Sequence, residues 1–272
     1  MTDLYAVVGN PIAHSKSPRI HAEFARQTGE DLAYEAILAP LDGFARTVGA
    51  FRARRGRGIN VTVPFKIEAY QYAVEHTPRA ARAGAVNTLR FEQGRVLGEN
   101  TDGVGLTRDI EANLGIPLTG VRVLLLGAGG AARGVVLPIL ERGPAALVIA
   151  NRSPARAAEL RALFPEFASV EGGGYDALAG RHFEVVINAT SASLADALPP
   201  LPPEAFVPGA LAYDMMYGRA STPFLAFARS HGAGRCADGL GMLVEQAAES
   251  FFLWRGVRPE TAPVIAKLRQ EL

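Results

Sequence analysis

The chain has 272 residues, length enough for two domains of ordinary size, and 49% of them are apolar, as in soluble globular proteins. Lys and Arg number 28 against 27 Asp and Glu, a net charge of +1 that gives no reason to expect a nucleic-acid or membrane partner. Cys236, the sole cysteine, excludes an intrachain disulfide and is expected to be a small buried hydrophobe. No apolar run approaches the roughly 20 residues of a membrane span. The five histidines (14, 21, 76, 182 and 231) show no metal-ligand spacing with one another or with Cys236, so no metal is expected.

In chain order, a strand is predicted over Leu4–Val8, with no secretory leader ahead of it, which points to the cytoplasm. A helix over Pro18–Gln27 follows, with Ser17 as its N-cap and proline at its first position. Then come a strand at Ala33–Leu38, a helix at Leu41–Arg54 ending in a basic cluster read as a solvated helix end, and a strand at Gly58–Val63. Pro64 opens a short helix. Strands at Ala85–Phe91 and Arg95–Glu99 flank Glu92-Gln93-Gly94, which suits a hairpin turn. A helix over 103–115 leads into the apolar run Val121–Leu126, and further strands are read at Ala146–Ala150, Val185–Asn188 and Ala210–Asp214. The proline-rich run 199–203 is a rigid loop. From Gly239 onward the chain is helical, with Met242, Val244, Ala247, Ala248, Phe251 and Phe252 on an apolar side.

This alternation predicts an α/β protein of two domains: an N-terminal domain (1–102) with a mostly parallel sheet, and a Rossmann-like dinucleotide domain (103–239). The helices of 240–272 are expected to pack back on the first domain and close a cleft that holds the active site.

The most informative stretch is the dinucleotide signature. Val121–Leu126 runs into Gly127-Ala128-Gly129-Gly130-Ala131-Ala132, with Gly127, Gly129 and Ala132 at the small positions of GxGxxG/A. Small residues there let the backbone turn tightly and approach a pyrophosphate at a helix N-terminus. After the next strand, an NAD-binding chain carries an acid for the ribose 2′-hydroxyl. Here Asn151, Arg152, Ser153 and Arg156 stand instead, a set that would hold a 2′-phosphate. The expected cofactor is NADP.

Three clusters concentrate polar chemistry in the first domain. Ser15 and Ser17 precede a helix N-terminus, where a small carboxylate would be favoured, although capping alone explains Ser17. In Asn60-Val61-Thr62-Val63-Pro64-Phe65-Lys66, alternation sends Asn60, Thr62 and Pro64 to one side and Val61 and Val63 to the other. Lys66 falls in the first turn of a helix, the unfavourable end of its dipole, which suits a proton-exchanging role better than plain solvation. Asp102, in Glu99-Asn100-Thr101-Asp102-Gly103, is either the cap of the next helix or a partner facing Lys66.

Taken together, GNPIAHSKSP, NVTVPFK, AVNT, ENTDG, GAGGAA, NRSPAR, NATSAS, YDMMY and DGLGMLVEQA resemble the shikimate dehydrogenase family, in order and across essentially the whole chain. The resemblance implies reversible reduction of 3-dehydroshikimate to shikimate with NADPH, toward chorismate and the aromatic amino acids. It implies Lys66 and Asp102 as the catalytic pair. Ser15, Ser17, Thr62, Asn87, Asp102, Tyr217 and Gln246 would hold the substrate. Gly127, Ala128, Gly129, Gly130 and Ala131 would bind pyrophosphate, with Asn151, Arg152, Ser153 and Arg156 at the 2′-phosphate and Thr190, Met215 and Gly239 beside the nicotinamide. The chain departs from the family pattern at Ala192 and Ser193, and at Pro78, where relatives often carry an acid. The rival expectations are an NAD-dependent quinate/shikimate enzyme and a catalytically silent NADP-binding regulator. A monomer or homodimer acting on a small molecule is expected.

Overall fold

Met1–Gly105 with Leu243–Leu268 form one unit of the chain, and Leu106–Met242 with Arg269–Leu272 form another. The computed structural model describes residues 2–190, 197–218 and 220–272, so the family departure at Ala192 and Ser193 lies outside the described residues.

The first unit is built on strands β1 (Asp3–Gly9), β2 (Leu32–Leu38), β3 (Gly56–Val61), β4 (Glu75–His76), β5 (Thr88–Glu92) and β6 (Arg95–Glu99), in the spatial order β2-β1-β3-β5-β6-β4. The pairs β1–β2, β1–β3 and β4–β6 are parallel, while β5 runs antiparallel to both β3 and β6. The β5–β6 hairpin turns on Gln93 and Gly94, both at positive φ (49° and 82°), which matches a tight turn to the twist of its strands. Helices α1 (Ser17–Thr28), α2 (Phe44–Ala53), α3 (Lys66–Tyr72) and α4 (Pro78–Ala83) connect these strands.

The unit's core gathers Val8, Val48, Phe51, Ile59, Phe65 and Leu89. α9 (Leu240–Arg255) docks here through Trp254, whose indole N–H bonds the Leu89 carbonyl and fills the space above Gly58, where a Cβ would meet the ring at 2.4 Å. α10 (Ala262–Gln270) ends the chain.

After α5 (Asp102–Arg108) the helix continues as one π-helical turn, Asp109–Asn113, instead of running as a single α-helix to 115. The second unit then alternates β7 (Arg122–Leu126), α6 (Gly130–Leu140), β8 (Ala146–Ala150), α7 (Pro154–Ala162), β9 (Val170–Gly173), β10 (Phe183–Asn188), β11 (Phe206–Asp214), α8 (Pro223–Ser230) and β12 (Arg235–Asp238). All strands are parallel, in the order β12-β11-β10-β7-β8-β9. This is the doubly wound dinucleotide-binding order, and it reverses between β7 and β10, where such sheets take their ligands. Apolar residues from both faces, such as Val123, Leu125 and Ile149 on one and Leu124, Val148 and Val186 on the other, bury the sheet on both sides.

Several expectations need correction. Lys16, not Ser17, holds the N-cap position of α1, and it makes no side-chain cap bond; Ser17 is the first helical residue, and its N–H donates to Ser15 Oγ at 3.3 Å. β3 ends at Val61, because Pro64 has no N–H to extend a ladder, and Val63 turns outward, 66% exposed. α2 begins at Phe44, leaving Leu41 exposed. The basic cluster is engaged, not merely solvated: Arg54 pairs with Glu35, Arg57 with Asp3, and Arg52 lies over the Phe91 ring. Phe252 is exposed, one step of about 100° round α9 from buried Phe251, and it carries Arg258 over its ring. Cys236 is only half-buried, on the edge strand β12.

Candidate active site

In the first unit, Lys66, Asn87, Asp102 and Gln246, four of the residues expected to act on substrate, come together past the carboxyl end of β3 and at the start of α5. Lys66 opens α3 and reaches Asp102, which opens α5; Nζ donates to Oδ2 at 2.5 Å. Asp102 is the first residue of α5, not the residue before it; its N–H donates to Asn100 Oδ1 at 3.2 Å, and its carboxylate takes other donors. Its Oδ1 takes Asn87 Nδ2 at 2.8 Å. Asn87 Nδ2 also lies 2.9 Å from Thr101 Oγ1 and 3.3 Å from Gln246 Oε1. Gln246 Nε2 is engaged by the Leu243 carbonyl, so its oxygen faces the cluster. The Lys66 side chain keeps 21% of its surface exposed and Asp102 only 7%, a buried acid beside a lysine that solvent still reaches.

Ser15 is half-buried and Ser17 buried, and the Ser17 hydroxyl lies against the Tyr34 phenol. Thr62, just past β3, continues the pairing through its N–H to the Val8 carbonyl, which sets it beside the end of β1 and shortly before Lys66. Thr101, fully buried, belongs with this cluster although the sequence reading assigned it no role. Its signal was its place inside the Glu99–Asp102 polar run.

In the second unit, Gly127 follows β7 with φ of 108°, a backbone conformation only glycine adopts easily, and a Cβ there would stand 3.2 Å from the Ala189 carbonyl. Ala128 is buried, while Gly129 is exposed at the N-cap of α6. A Cβ at Gly129 or Gly130 would meet nothing within 4 Å, and no side chain caps the helix. Gly129, Gly130 and Ala131 therefore offer backbone N–H groups and open space, which fits a pyrophosphate.

At the end of β8, Asn151 donates to the Ser153 carbonyl at 3.0 Å and shapes the turn into α7. Ser153 is the N-cap of α7 without a capping bond, and Arg152 and Arg156 are exposed and bonded to no carboxylate among the described residues. Two guanidiniums with no carboxylate partner and a hydroxyl with no capping bond among the described residues, at a helix start with no acid at the strand end, fit a 2′-phosphate.

Thr190, Met215, Tyr217 and Gly239 sit on the loops after β10, β11 and β12. Two buried residues that the sequence reading passed over organise them. Asn188 Oδ1 accepts the N–H and hydroxyl of Thr190 at 3.1 and 2.7 Å. Asp214 accepts from the Met216 N–H, the Thr222 hydroxyl and Asn188 Nδ2. The Met215 N–H bonds the Asn188 carbonyl, and a Cβ at Gly239 would stand 2.2 Å from the Met215 carbonyl. Tyr217 is half-buried, and burial raises its phenol above the ordinary range.

Three segments match models of shikimate dehydrogenase domains: the substrate binding domain over residues 7–89, shikimate / quinate 5-dehydrogenase over 110–195, and the shikimate 5′-dehydrogenase C-terminal domain over 239–269. A shikimate dehydrogenase (NADP(+)) of Nitrosospira multiformis is 63% identical over 272 residues, covering 100% of this chain and 99% of the relative. The chain belongs to the shikimate dehydrogenase family. Solved relatives share its fold across their length. An Ael1 enzyme from Pseudomonas putida superposes with a TM-score of 0.94 at 52% identity, covering 98% of each chain. A shikimate 5-dehydrogenase of Thermus thermophilus, in complex with NADP(H) and shikimate, superposes with a TM-score of 0.88 at 35% identity over 100% of both chains.

Proposed function

We propose that this shikimate dehydrogenase family member is an NADP-dependent oxidoreductase that interconverts 3-dehydroshikimate and shikimate, in the route to chorismate and the aromatic amino acids. The observation that carries the reading is the Lys66–Asp102 contact within a cluster of amides and hydroxyls, in a chain whose second unit presents, at the end of β8, arginines with no carboxylate partner among the described residues. NADPH, when bound, supplies the hydride that reduces the substrate carbonyl carbon. Gly127, Ala128, Gly129, Gly130 and Ala131 would hold its pyrophosphate, and Asn151, Arg152, Ser153 and Arg156 its 2′-phosphate. Thr190, Met215 and Gly239 would lie beside the nicotinamide.

As the carbonyl π pair moves onto oxygen, Lys66 Nζ donates a proton there, and the product hydroxyl forms. Asp102 holds the ammonium through one of its three N–H bonds, which aims the others and stabilises the charge that the proton must come from. The solvent-exposed fraction of Lys66 lets the amine regain its proton from bulk water. In the oxidising direction the same amine accepts the proton. Ser15 and Ser17 would take the substrate carboxylate, and Thr62, Asn87, Asp102, Tyr217 and Gln246 its ring hydroxyls and carbonyl. The reading takes the protein as cytoplasmic, a monomer or homodimer with a small-molecule substrate.

Initial rates of NADP⁺ reduction by shikimate, beside shikimate with NAD⁺ and quinate with either cofactor, test it. Turnover confined to shikimate with NADP⁺ is expected. Preference for quinate or NAD⁺ would move the protein to the sister activity, and cofactor binding without turnover would make it a silent regulator.

A further inference from the structure

Behind the Lys66–Asp102 pair stands a set of polar side chains that the reaction above does not use: Tyr34 on β2, Asn60 on β3, Thr88 on β5 and Ser250 on α9. Asn60, Thr88 and Ser250 are all buried, Thr88 and Ser250 completely. The Tyr34 hydroxyl donates to Asn60 Oδ1 at 2.7 Å. That bond fixes which way the Asn60 amide faces. Its Nδ2 then meets Thr88 Oγ1 and Ser250 Oγ at 3.0 Å each, and the Asn87 carbonyl at 3.3 Å.

Donors and acceptors must alternate along such a chain. Because Thr88 Oγ1 accepts from Asn60, its own proton goes on to a second acceptor; Asn87 Oδ1 lies at 3.0 Å and Ser250 Oγ at 2.8 Å, and donation to Asn87 is the link the relay needs. The Thr101 N–H adds a second donor to the same oxygen at 2.9 Å. The Asn87 amide is thereby turned so that Nδ2 faces Asp102 Oδ1. The opposite orientation would set its NH₂ against the Thr101 N–H and its oxygen against a carboxylate, two repulsions in place of two bonds.

The start of the chain is also held. The Tyr34 ring stacks on His21, centroids 4.2 Å apart and planes 6° apart, and His21 lies within the aromatic group of Phe24, Phe251 and Trp254. Burial raises the Tyr34 phenol well above its ordinary range, so it stays a donor.

We propose that Tyr34 is a positioning residue: its hydroxyl orients Asn60 and, through Thr88, Asn87, so that Asp102 receives an N–H on the oxygen that Lys66 leaves free. The proposal rests on the reading of Lys66 and Asp102 as the acid–base pair. A donor to the charged form keeps a carboxylate ionised. Loosening the relay weakens that donor, and the acid side of the rate profile reads the loss.

The test is the pH profile of kcat for shikimate oxidation with NADP⁺ in Tyr34→Phe, which keeps the stack on His21 and removes only the hydroxyl. We expect kcat to fall about three- to tenfold, the scale of one buried neutral hydrogen bond. The acid limb should move up by about half a pH unit, with the KM for NADP⁺ unchanged. Thr88→Val, which cuts the relay one link closer to Asn87, should shift the limb at least as far, and Tyr34→Phe/Thr88→Val no further than Thr88→Val alone.

Thr88→Val also carries the test if Tyr34→Phe does not fold. An acid limb identical to the native enzyme's in the folded variants, whatever their Tm, overturns the proposal and leaves the Lys66–Asp102 reading standing. A native protein that fails to oxidise shikimate with NADP⁺ overturns both.

Discussion

In the first unit Lys66, Asp102, Asn87 and Thr101 are bonded to one another and to a buried layer behind them, so the positions of these groups are set before any ligand arrives. In the second unit Arg152, Ser153 and Arg156 stand at the surface without a carboxylate or capping bond among the described residues, and the glycines from 127 to 130 contribute backbone shape and empty space. One region relies on side chains that hold each other; the other relies on turns, a helix N-terminus and uncommitted cations. The difference fits the tasks proposed for the two regions. A proton donor must be held about 2.6–3.2 Å from its acceptor and well aimed, whereas a phosphate carries several acceptor oxygens and tolerates flexible partners.

The contrast breaks most visibly at Lys66. Lys66→Ala should lower kcat by about 10²–10⁴, the range of general acid–base help, with KM for shikimate less affected. Steady-state kinetics decide it: a large rise in KM with native kcat would make Lys66 a binding residue and remove the distinction between the two regions. The arginines should show the opposite pattern. Arg152→Ala or Arg156→Ala alone should raise KM for NADP⁺ by about 10- to 100-fold, since one charge-assisted bond contributes about 1.5–3 kcal/mol, with kcat and the NAD⁺ reaction little changed. Equal losses with NADP⁺ and NAD⁺ would mean that these arginines do not read the 2′-phosphate.

A smaller effect sharpens the point that the first unit's polar layer is built into its core. Full burial in an aromatic group pushes the His21 imidazole down to about 3, so it stays neutral when folded, while in the unfolded chain it titrates near 6.5. Between about pH 6.5 and 3 the unfolded state therefore binds the extra proton, and stability falls as pH is lowered through that window. At pH 5.5, one unit into it, the loss is about 1.4 kcal/mol. His21→Phe should lack this component, and its acid unfolding should be shallower than the native chain's between pH 6.5 and 5. Parallel native and variant curves of stability against pH would show that His21 is already titrating in the fold.

Much of this molecule was legible locally. The run Val121–Leu126 with its glycines gave strand, turn and helix, because those choices depend on residues within one turn of each other. The lack of an acid at Asn151 pointed to the phosphate in the same way. The Ser17 cap was misjudged, since a serine beside a proline fits two adjacent positions and only the path of the chain decides between them. Val63 was misplaced because alternation carries no information about where a ladder stops. Asn60 was set on the same side as Thr62, but its role stayed hidden, because nothing near it in sequence names Ser250, 190 residues away, as its partner.

By itself, then, the order of residues determined the alternation of strands and helices, the glycine turn and the charge at the end of β8, all of which follow from neighbours and spacing. Tertiary structure decided what touches what: Lys66 on Asp102 across 36 residues, Tyr213 donating to buried Asp109 across 104, Asn60 between Tyr34 and Ser250. Those contacts depend on sheet register and on bringing buried donors to acceptors far away in sequence, conditions that only the folded chain as a whole can satisfy.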